Sequence, residues 1–331
     1  MASYERLLIF STMPHRLVWI WVVSLALGFQ VLDERSVGKL LDWSLIDYIR
    51  DVLLGDAVAP LRASLEYGGS WFGAMPAAGL GVIATKLVGV YPGNAGRGLP
   101  LVRGVVVGFD ASTGDPLVLA DAGPLTGYRT AAATCLGLEL LGYRGGGKAG
   151  LIGAGVQGFY HARCLLEHYG VEELVVYDVD KERARGLVER LGGPVKLGSL
   201  EEIYESRVIV AATTSKEPVV RGSLLGRETW VASVGAPRPV WELDEETLSR
   251  AGCVLADTRE GFMEESGEAL HLPENVRVAD MRRVVRGDEE CTPGDLRVYK
   301  GVGTALFDLA ALLQLVDKLQ DRIRGVKGGR E

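Results

Sequence analysis

Lys148-Ala-Gly-Leu-Ile-Gly153-Ala-Gly155-Val-Gln-Gly158 is the stretch on which the fold of this chain turns. It reads as a short apolar strand entering a glycine-rich turn. Phe159 to Tyr169 follows as a helix, and Leu174-Val-Val-Tyr-Asp178 as a second strand ending on an acid. Strand, G-x-G-x-x-G, helix, strand, acid is the dinucleotide-binding pattern. Gly153 allows the tight turn, Gly155 lets the backbone approach a pyrophosphate, and Gly158 lets the helix pack close to the strand. The helix start offers free N–H groups and a partial positive charge to phosphates. Asp178, 20 residues past Gly158, stands where a carboxylate accepts hydrogen bonds from the adenosine ribose. The alternative, a purely structural glycine turn in a chain with 44 glycines, leaves Asp178 unexplained. An anionic Asp178 repels a 2′-phosphate, so NAD is favoured; Lys181 and Arg183 lie close enough to leave NADP open.

The bulk properties bound what else is expected. A chain of 331 residues with 47% apolar content can bury a sizeable core, as two domains or one large one. The net charge of −7 argues against nucleic acid and anionic membranes as partners. Cys135, Cys164, Cys253 and Cys291 are scattered, without C-x-x-C, and predict neither a disulfide framework nor a zinc site. His15, His161, His168 and His271 have no metal spacing; His161 and His168 read as packing or surface residues on the first helix of the nucleotide fold. No metal is expected. The apolar run Leu17 to Phe29 spans 13 residues, short of the ~20 needed to cross a bilayer as a helix. Three readings stay open for it: an extension upstream of the fold, a packing or oligomer helix, and an anchor or signal. The body of the protein is expected to be cytoplasmic.

Along the chain, Asp33 caps a segment with apolar residues at helical spacing from Val37 to Ile49. Residues 62–128 read as strands and turns, with a hairpin-like turn at Asp110–Pro116. Thr130 to Leu141 reads as an alanine-rich helix bridging to the second domain. Strands are expected near 149–152, 174–178, 207–212, 229–235 and 253–256, with a last one over Asn275 to Asp280. Ser199-Leu-Glu-Glu202 is a capping-box pattern, and Thr304 to Asp321 a final amphipathic helix.

A cofactor fold does not name a substrate. Three isolated cations precede it in weakly charged surroundings: Arg62, Lys86 and Arg129. The segment around Lys86 looks like a buried strand, where an unpaired ammonium is costly and requires an anionic partner or a function. Arg129, read as the start of the bridging helix, could hold a carboxylate through two hydrogen bonds. Each could equally be a surface charge or a salt-bridge partner.

Taken in order, these motifs resemble the ornithine cyclodeaminase/μ-crystallin family over Val31 to Lys318. They are Met75-Pro76, Lys86, Pro92-Gly-Asn94 with Gly98-Leu-Pro100, Thr126-Gly-Tyr-Arg129-Thr130-Ala-Ala, Gly153-Ala-Gly155-Val-Gln157, and Val298-Tyr-Lys-Gly-Val-Gly303 continuing to Asp308. The resemblance implies an α/β protein with a Rossmann-type doubly wound nucleotide-binding domain and an α+β substrate and dimerisation domain. Residues 31–128 with 304–331 would form the latter, 129–303 the former, and 1–30 an extension outside the fold. It implies that Arg62, Lys86 and Arg129 face a substrate carboxylate, with Lys86 also moving protons. It assigns Arg129, Gly153, Gly155, Val156, Gln157, Gly158, Asp178, Thr213, Gly301 and Val302 to the cofactor, and a homodimer as the assembly.

One departure bears on the reaction. True cyclodeaminases of the family carry an acid, their proposed general base, a few residues before a Glu-Leu pair. Aligned on Glu242-Leu243, that position is Ala236, and no acid occurs between Trp230 and Trp241. The expectation is therefore an NAD(P)-dependent amino-acid dehydrogenase or cyclic-imine reductase acting on a small amino or imino acid, with hydride transfer at the α-carbon. Ornithine cyclodeamination, and a crystallin-like nucleotide-binding protein without turnover, are the alternatives.

Overall fold

The computed structural model describes residues 28–328; most of the 1–30 extension, including its apolar run to Leu27, lies outside them. Strand β1 (Gln30–Leu32) leads to α1 (Glu34–Leu40) and α2 (Leu45–Leu54). Asp33 caps α1 by accepting from Ser36 N. The helical spacing read from Val37 onward is thus two helices. Ser44 N and Oγ both donate to Asp42, which holds the break between them. Five strands follow: β2 (Ala63–Tyr67), β3 (Ser70–Gly79), β4 (Val82–Val90), β5 (Val102–Asp110) and β6 (Pro116–Asp121). They pair antiparallel in sequence, while β1 joins β6 in parallel, giving the order β1-β6-β5-β4-β3-β2.

Helix α3 (Ala122–Leu140) is longer than its alanine-rich core. It opens eight residues before the expected Thr130, because Asp121 caps it by accepting from Gly123 N. Arg129 is therefore about two turns inside the helix rather than at its start. Most of α3 is buried all round, as a helix enclosed on every side must be. It packs on the first sheet, on the nucleotide fold and on the last helix.

The remaining elements alternate as β7 (Lys148–Ile152), α4 (Val156–Glu167), β8 (Glu173–Tyr177), α5 (Lys181–Leu191), β9 (Val195–Leu197), α6 (Leu200–Tyr204), β10 (Val208–Ala211), β11 (Thr229–Ser233), α7 (Glu245–Ala251), β12 (Cys253–Ala256), α8 (Arg259–Glu265), β13 (Arg277–Asp280), α9 (Met281–Val285), β14 (Leu296–Lys300) and α10 (Ala305–Gly328). The capping box on α6 is formed in full. The second sheet is wholly parallel, ordered β13-β12-β14-β11-β10-β7-β8-β9. From β7 the strands run outward as β8 and β9 on one side and β10 and β11 on the other, so the strand order reverses between β7 and β10. This is the doubly wound arrangement, and its ligand crevice lies at the carboxyl ends of those strands.

Two expectations are corrected here. Arg277–Asp280 is an edge strand but not the last one. Leu296–Lys300 enters the sheet afterwards, between β11 and β12. Its two basic residues, Arg297 and Lys300, hid a strand in which every residue but Arg297 is buried. The cysteines are not isolated either. Cys135 on α3 is bonded to Cys164 on α4, and Cys253 on β12 to Cys291. Separations of 29 and 38 residues carry no local signature; helix and strand packing alone brings these thiols together. Among the described residues no helix is long and apolar enough to cross a membrane.

Candidate active site

The nucleotide turn is built as its sequence requires. Gly153 has φ +104°, and a Cβ there would meet Ala212 O at 2.4 Å. At Gly158 a Cβ would lie 2.0 Å from Gly153 O, so the turn and the first turn of α4 fit only without side chains. Gly155, the N-cap of α4, faces open space and offers no side-chain cap, which leaves the N–H groups of the first turn free for an anion. Gln157 Oε1 is buried with no partner. Val156 beside it is 65% exposed, available to a ligand. Asp178 accepts from Ala154 N at 2.7 Å and Asp180 N at 2.8 Å, which fixes the carboxylate while leaving lone pairs for a diol. A cradle without Cβ atoms, an unpartnered amide oxygen and a fixed carboxylate fit NAD. His161 supports the cradle from behind: its ring lies 2.8 Å from Gln157 O and 2.9 Å from Thr134 Oγ1 on α3. Burial pushes its pKa down to about 4, so the ring is neutral near pH 7.

The three cations converge on the other side of the crevice. The inward positions of β4 are Val82, Ala84, Lys86 and Val88, so Lys86 points into the core, where it is 2% exposed. Its ammonium donates to Asp308 Oδ1 at 2.9 Å and lies 2.8 Å from Oδ2. Arg129 Nε approaches Oδ1 of the same carboxylate at 3.1 Å. Burial pushes the Lys86 pKa down to about 8; Arg129 and Arg62 add to the fall, and Asp308 opposes it. Arg62 donates to Val302 O at 3.3 Å and Gly303 O at 3.0 Å, and pairs with Glu265 at 2.7 Å. Burial raises the Glu265 pKa although Arg62 works against it. A narrow cleft of about 60 Å³ is lined by Arg62, Met75, Thr258, Glu265, Gly303 and Thr304. Lys86 sits opposite Met75 across the strand pair, and Asp308 one turn along α10 from Thr304.

The remaining expected contacts hold the loops of the crevice. Thr213 N and Oγ1 donate to Glu242. Gly301 N donates to Ser233 O. Val302 N and Gly303 N donate to Asp257 at 2.9 and 2.6 Å. The acids Asp308, Glu265, Asp257 and Glu242 were missed as site residues. Two had a visible signal: Asp308 is the sole charge in the apolar run Ala305–Leu313, and Asp257 follows the apolar strand β12 as Asp178 follows β8. Trp241, next to Glu242, stacks on His271 at 3.6 Å.

A Rossmann-type nucleotide crevice flanked by a buried lysine and two arginines defines a nucleotide-dependent enzyme of amino-acid chemistry. The chain belongs to the ornithine cyclodeaminase/mu-crystallin family, whose sequence pattern matches residues 35–322. It is 31% identical to the ketimine reductase mu-crystallin of Mus musculus over 270 residues, 80% of this chain and 86% of that one. It is 29% identical to the alanine dehydrogenase of Archaeoglobus fulgidus over 274 residues, 78% of this chain and 83% of that one. The solved structure of Thermococcus litoralis Delta(1)-pyrroline-2-carboxylate reductase, in complex with NADH and L-proline, superposes with a TM-score of 0.80 at 28% identity, covering 88% of this chain and 98% of that one.

Proposed function

We propose that this protein is an NAD-dependent oxidoreductase that reduces the C=N bond of a small imino acid at its α-carbon, as a cyclic-imine reductase or an alanine dehydrogenase does. The observation that carries this reading is the buried Lys86–Asp308–Arg129 group, whose neighbours Met75, Gly303 and Thr304 line a cleft together with Arg62. The first sheet with α10 supplies the substrate side, and residues 129–303 the nucleotide side. Asp178 holds the adenosine ribose and favours NAD over NADP. The Arg129 and Arg62 guanidinium groups bind the substrate carboxylate, which takes the place of Glu265 at Arg62 and orients the α-carbon. When bound, the reduced nicotinamide supplies a hydride to that carbon. The C=N electron pair goes to nitrogen, which takes a proton from Lys86 Nζ. Asp308 fixes the ammonium and keeps its pKa from falling further.

Ornithine cyclodeamination is the second reading. Its support is Glu265, a carboxylate in the cleft whose raised pKa suits a general base, although Ala236 provides none. Purified protein is to be assayed with NADH or NADPH against cyclic imino acids, against pyruvate with ammonia, and with L-ornithine and NAD. Oxidation of NADH, faster than NADPH, by a 2-carboxy imine or by pyruvate with ammonia is expected. Proline and ammonia formed from ornithine without net NADH would overturn the leading reading. Tight nucleotide binding with no turnover in any assay would leave a crystallin-like role.

The assembly is a homodimer and the enzyme acts in the cytoplasm. The face of the first sheet turned away from α10 carries Ile83, Leu87, Val105, Val107, Phe109 and Leu119 around Thr85, with Ile83 exposed and the others half-buried. A largely apolar face of this kind calls for a partner, and a second copy of the same sheet is the self-complementary one. Sedimentation is expected to give the mass of two chains, and Val107→Glu the mass of one. A wild-type monomer at micromolar concentration would refute the dimer.

A further inference from the structure

Hydride transfer leaves one buried charge cluster of the nucleotide fold unused. Lys300 Nζ, at the end of β14, donates to Ser233 Oγ at 2.8 Å, Gly235 O at 2.7 Å and Glu268 Oε1 at 2.9 Å. Glu268 also accepts from Glu242 N at 2.9 Å and Ser266 Oγ at 2.5 Å. Glu242 accepts from Thr213 N at 2.6 Å, Thr213 Oγ1 at 2.8 Å, Ser233 Oγ at 2.6 Å and Gly235 N at 2.7 Å. Lys300, Glu242, Glu268 and Ser233 are each 0% exposed. Burial would raise the Glu268 pKa, but the Lys300 ammonium and the hydrogen bonds from Ser266 and Glu242 outweigh it and leave it lowered. Two acids, Glu268 at 2.9 Å and Glu242 at 3.9 Å, face this one ammonium, so the cluster holds more acids than cations. Arg238, on the adjoining loop, turns its guanidinium to the carbonyls of Ser266 and Met263 instead.

Buried ionic groups are expensive, and apolar residues of similar volume would often serve stability as well. The placement gives this cluster a use. Thr213 follows β10 and Gly235 follows β11, so Glu242 lies directly under the two loops at the carboxyl ends of the second half of the sheet. In a doubly wound fold each half takes one nucleotide. With the adenosine ribose at Asp178 in the first half, the nicotinamide comes over the loops of the second. The nicotinamide ring is positively charged when oxidised and neutral when reduced. A fixed negative charge beneath it therefore acts on one redox state and not the other.

We propose that the Glu242–Glu268–Lys300 cluster tunes the bound cofactor: its excess negative charge tightens the oxidised form relative to the reduced one, and so makes the bound reduced form a stronger hydride donor. Glu268 is a positioning residue in this scheme, acting through Glu242 and the loops at Thr213 and Gly235. The proposal rests on the reading that NAD is the cofactor. It is tested on the full chain by titrating NAD+ and NADH separately into wild type, Glu268→Gln and Glu268→Asp, following nucleotide fluorescence or heat. For Glu268→Gln the ratio Kd(NAD+)/Kd(NADH) is expected to rise roughly three- to tenfold, with NADH affinity nearly unchanged; tenfold corresponds to about 30 mV for a two-electron couple. Glu268→Asp, which keeps the charge, is expected to hold the wild-type ratio even where both affinities fall. Equal weakening of both nucleotides by Glu268→Gln, or the same ratio change in both variants, would reduce the cluster to a structural support and overturn the proposal. A wild-type chain that binds neither nucleotide would overturn the cofactor reading beneath it.

Discussion

Lys86→Ala is expected to lower imine reduction by about 10²–10⁴-fold, the usual contribution of a positioned proton donor, with NADH affinity within about twofold of wild type. The two effects separate because Lys86 projects from β4 of the first sheet, whereas the nucleotide turn lies between β7 and α4 of the second. The variant is also expected to fold. Removing one member of a buried ion pair ordinarily strands a charge, at a cost of about 3–5 kcal/mol. Here Asp308 keeps Arg129 at 3.1 Å, so its charge remains paired. Steady-state rates and NADH binding measured on one preparation check this, and a variant with wild-type turnover would remove Lys86 from the mechanism. The pH dependence gives a second check. Imine reduction consumes a proton, so Lys86 acts while protonated. Its rate should be flat below a pKa of about 8 and fall above it, and the reverse oxidation should rise through the same range. Asp308 opposes the fall of the Lys86 pKa. Asp308→Asn should therefore move the alkaline limb to lower pH; a limb that stays in place would mean another group titrates.

Gly158→Ala is expected to weaken NADH binding roughly five- to 150-fold. Its Cβ would lie 2.0 Å from Gly153 O and 3.0 Å from Gly153 C. Both are backbone atoms of the tight turn, so no side chain can swing away and α4 itself must retreat from the strand. Overpacking of this kind costs about 1–3 kcal/mol, which gives the quoted factor if it falls on the bound state. Moving α4 displaces the free N–H groups that face the pyrophosphate. Gly186→Ala is the control. Gly186 lies within α5, and a Cβ there meets nothing within 4 Å. It should leave affinity unchanged and raise the melting temperature slightly, since Ala favours a helix over Gly by about 1 kcal/mol. Titration of both variants with NADH decides the matter; an unchanged affinity in Gly158→Ala would mean the turn does not carry the pyrophosphate.

The parts of this protein legible in the sequence are those set by local chemistry. The glycine turn, the acid at Asp178 and the capping box at Ser199 each rest on a few neighbouring residues whose backbone needs are met within one or two turns. The strands around 149–152, 207–212 and 229–235 were visible because buried parallel strands are continuous apolar runs. Where a non-local partner decided the outcome, the reading fell short. Arg129 looked like a helix start because its alanine run is so regular, yet the cap is Asp121, at the end of a strand. Cys135 and Cys164 meet only because α3 packs on α4.

By itself the sequence determined that a dinucleotide cradle follows a segment bearing three unusual cations, and that one of them, Lys86, required an anion. It could not say which anion. Asp308 lies 222 residues away on the last helix, and only the packing of α10 against β4 and α3 places it there. The same packing buries Lys86 and lowers its pKa, turning a lysine that would be fully protonated in water into a proton donor poised near neutral pH. Likewise Glu242 and Glu268 are ordinary acids along the chain; the parallel sheet, with β14 inserted between β11 and β12, is what gathers them around Lys300. Residue types and short spacings specify backbone geometry directly, but burial and charge neighbours are properties of the folded chain, and they decide what its titratable groups can do.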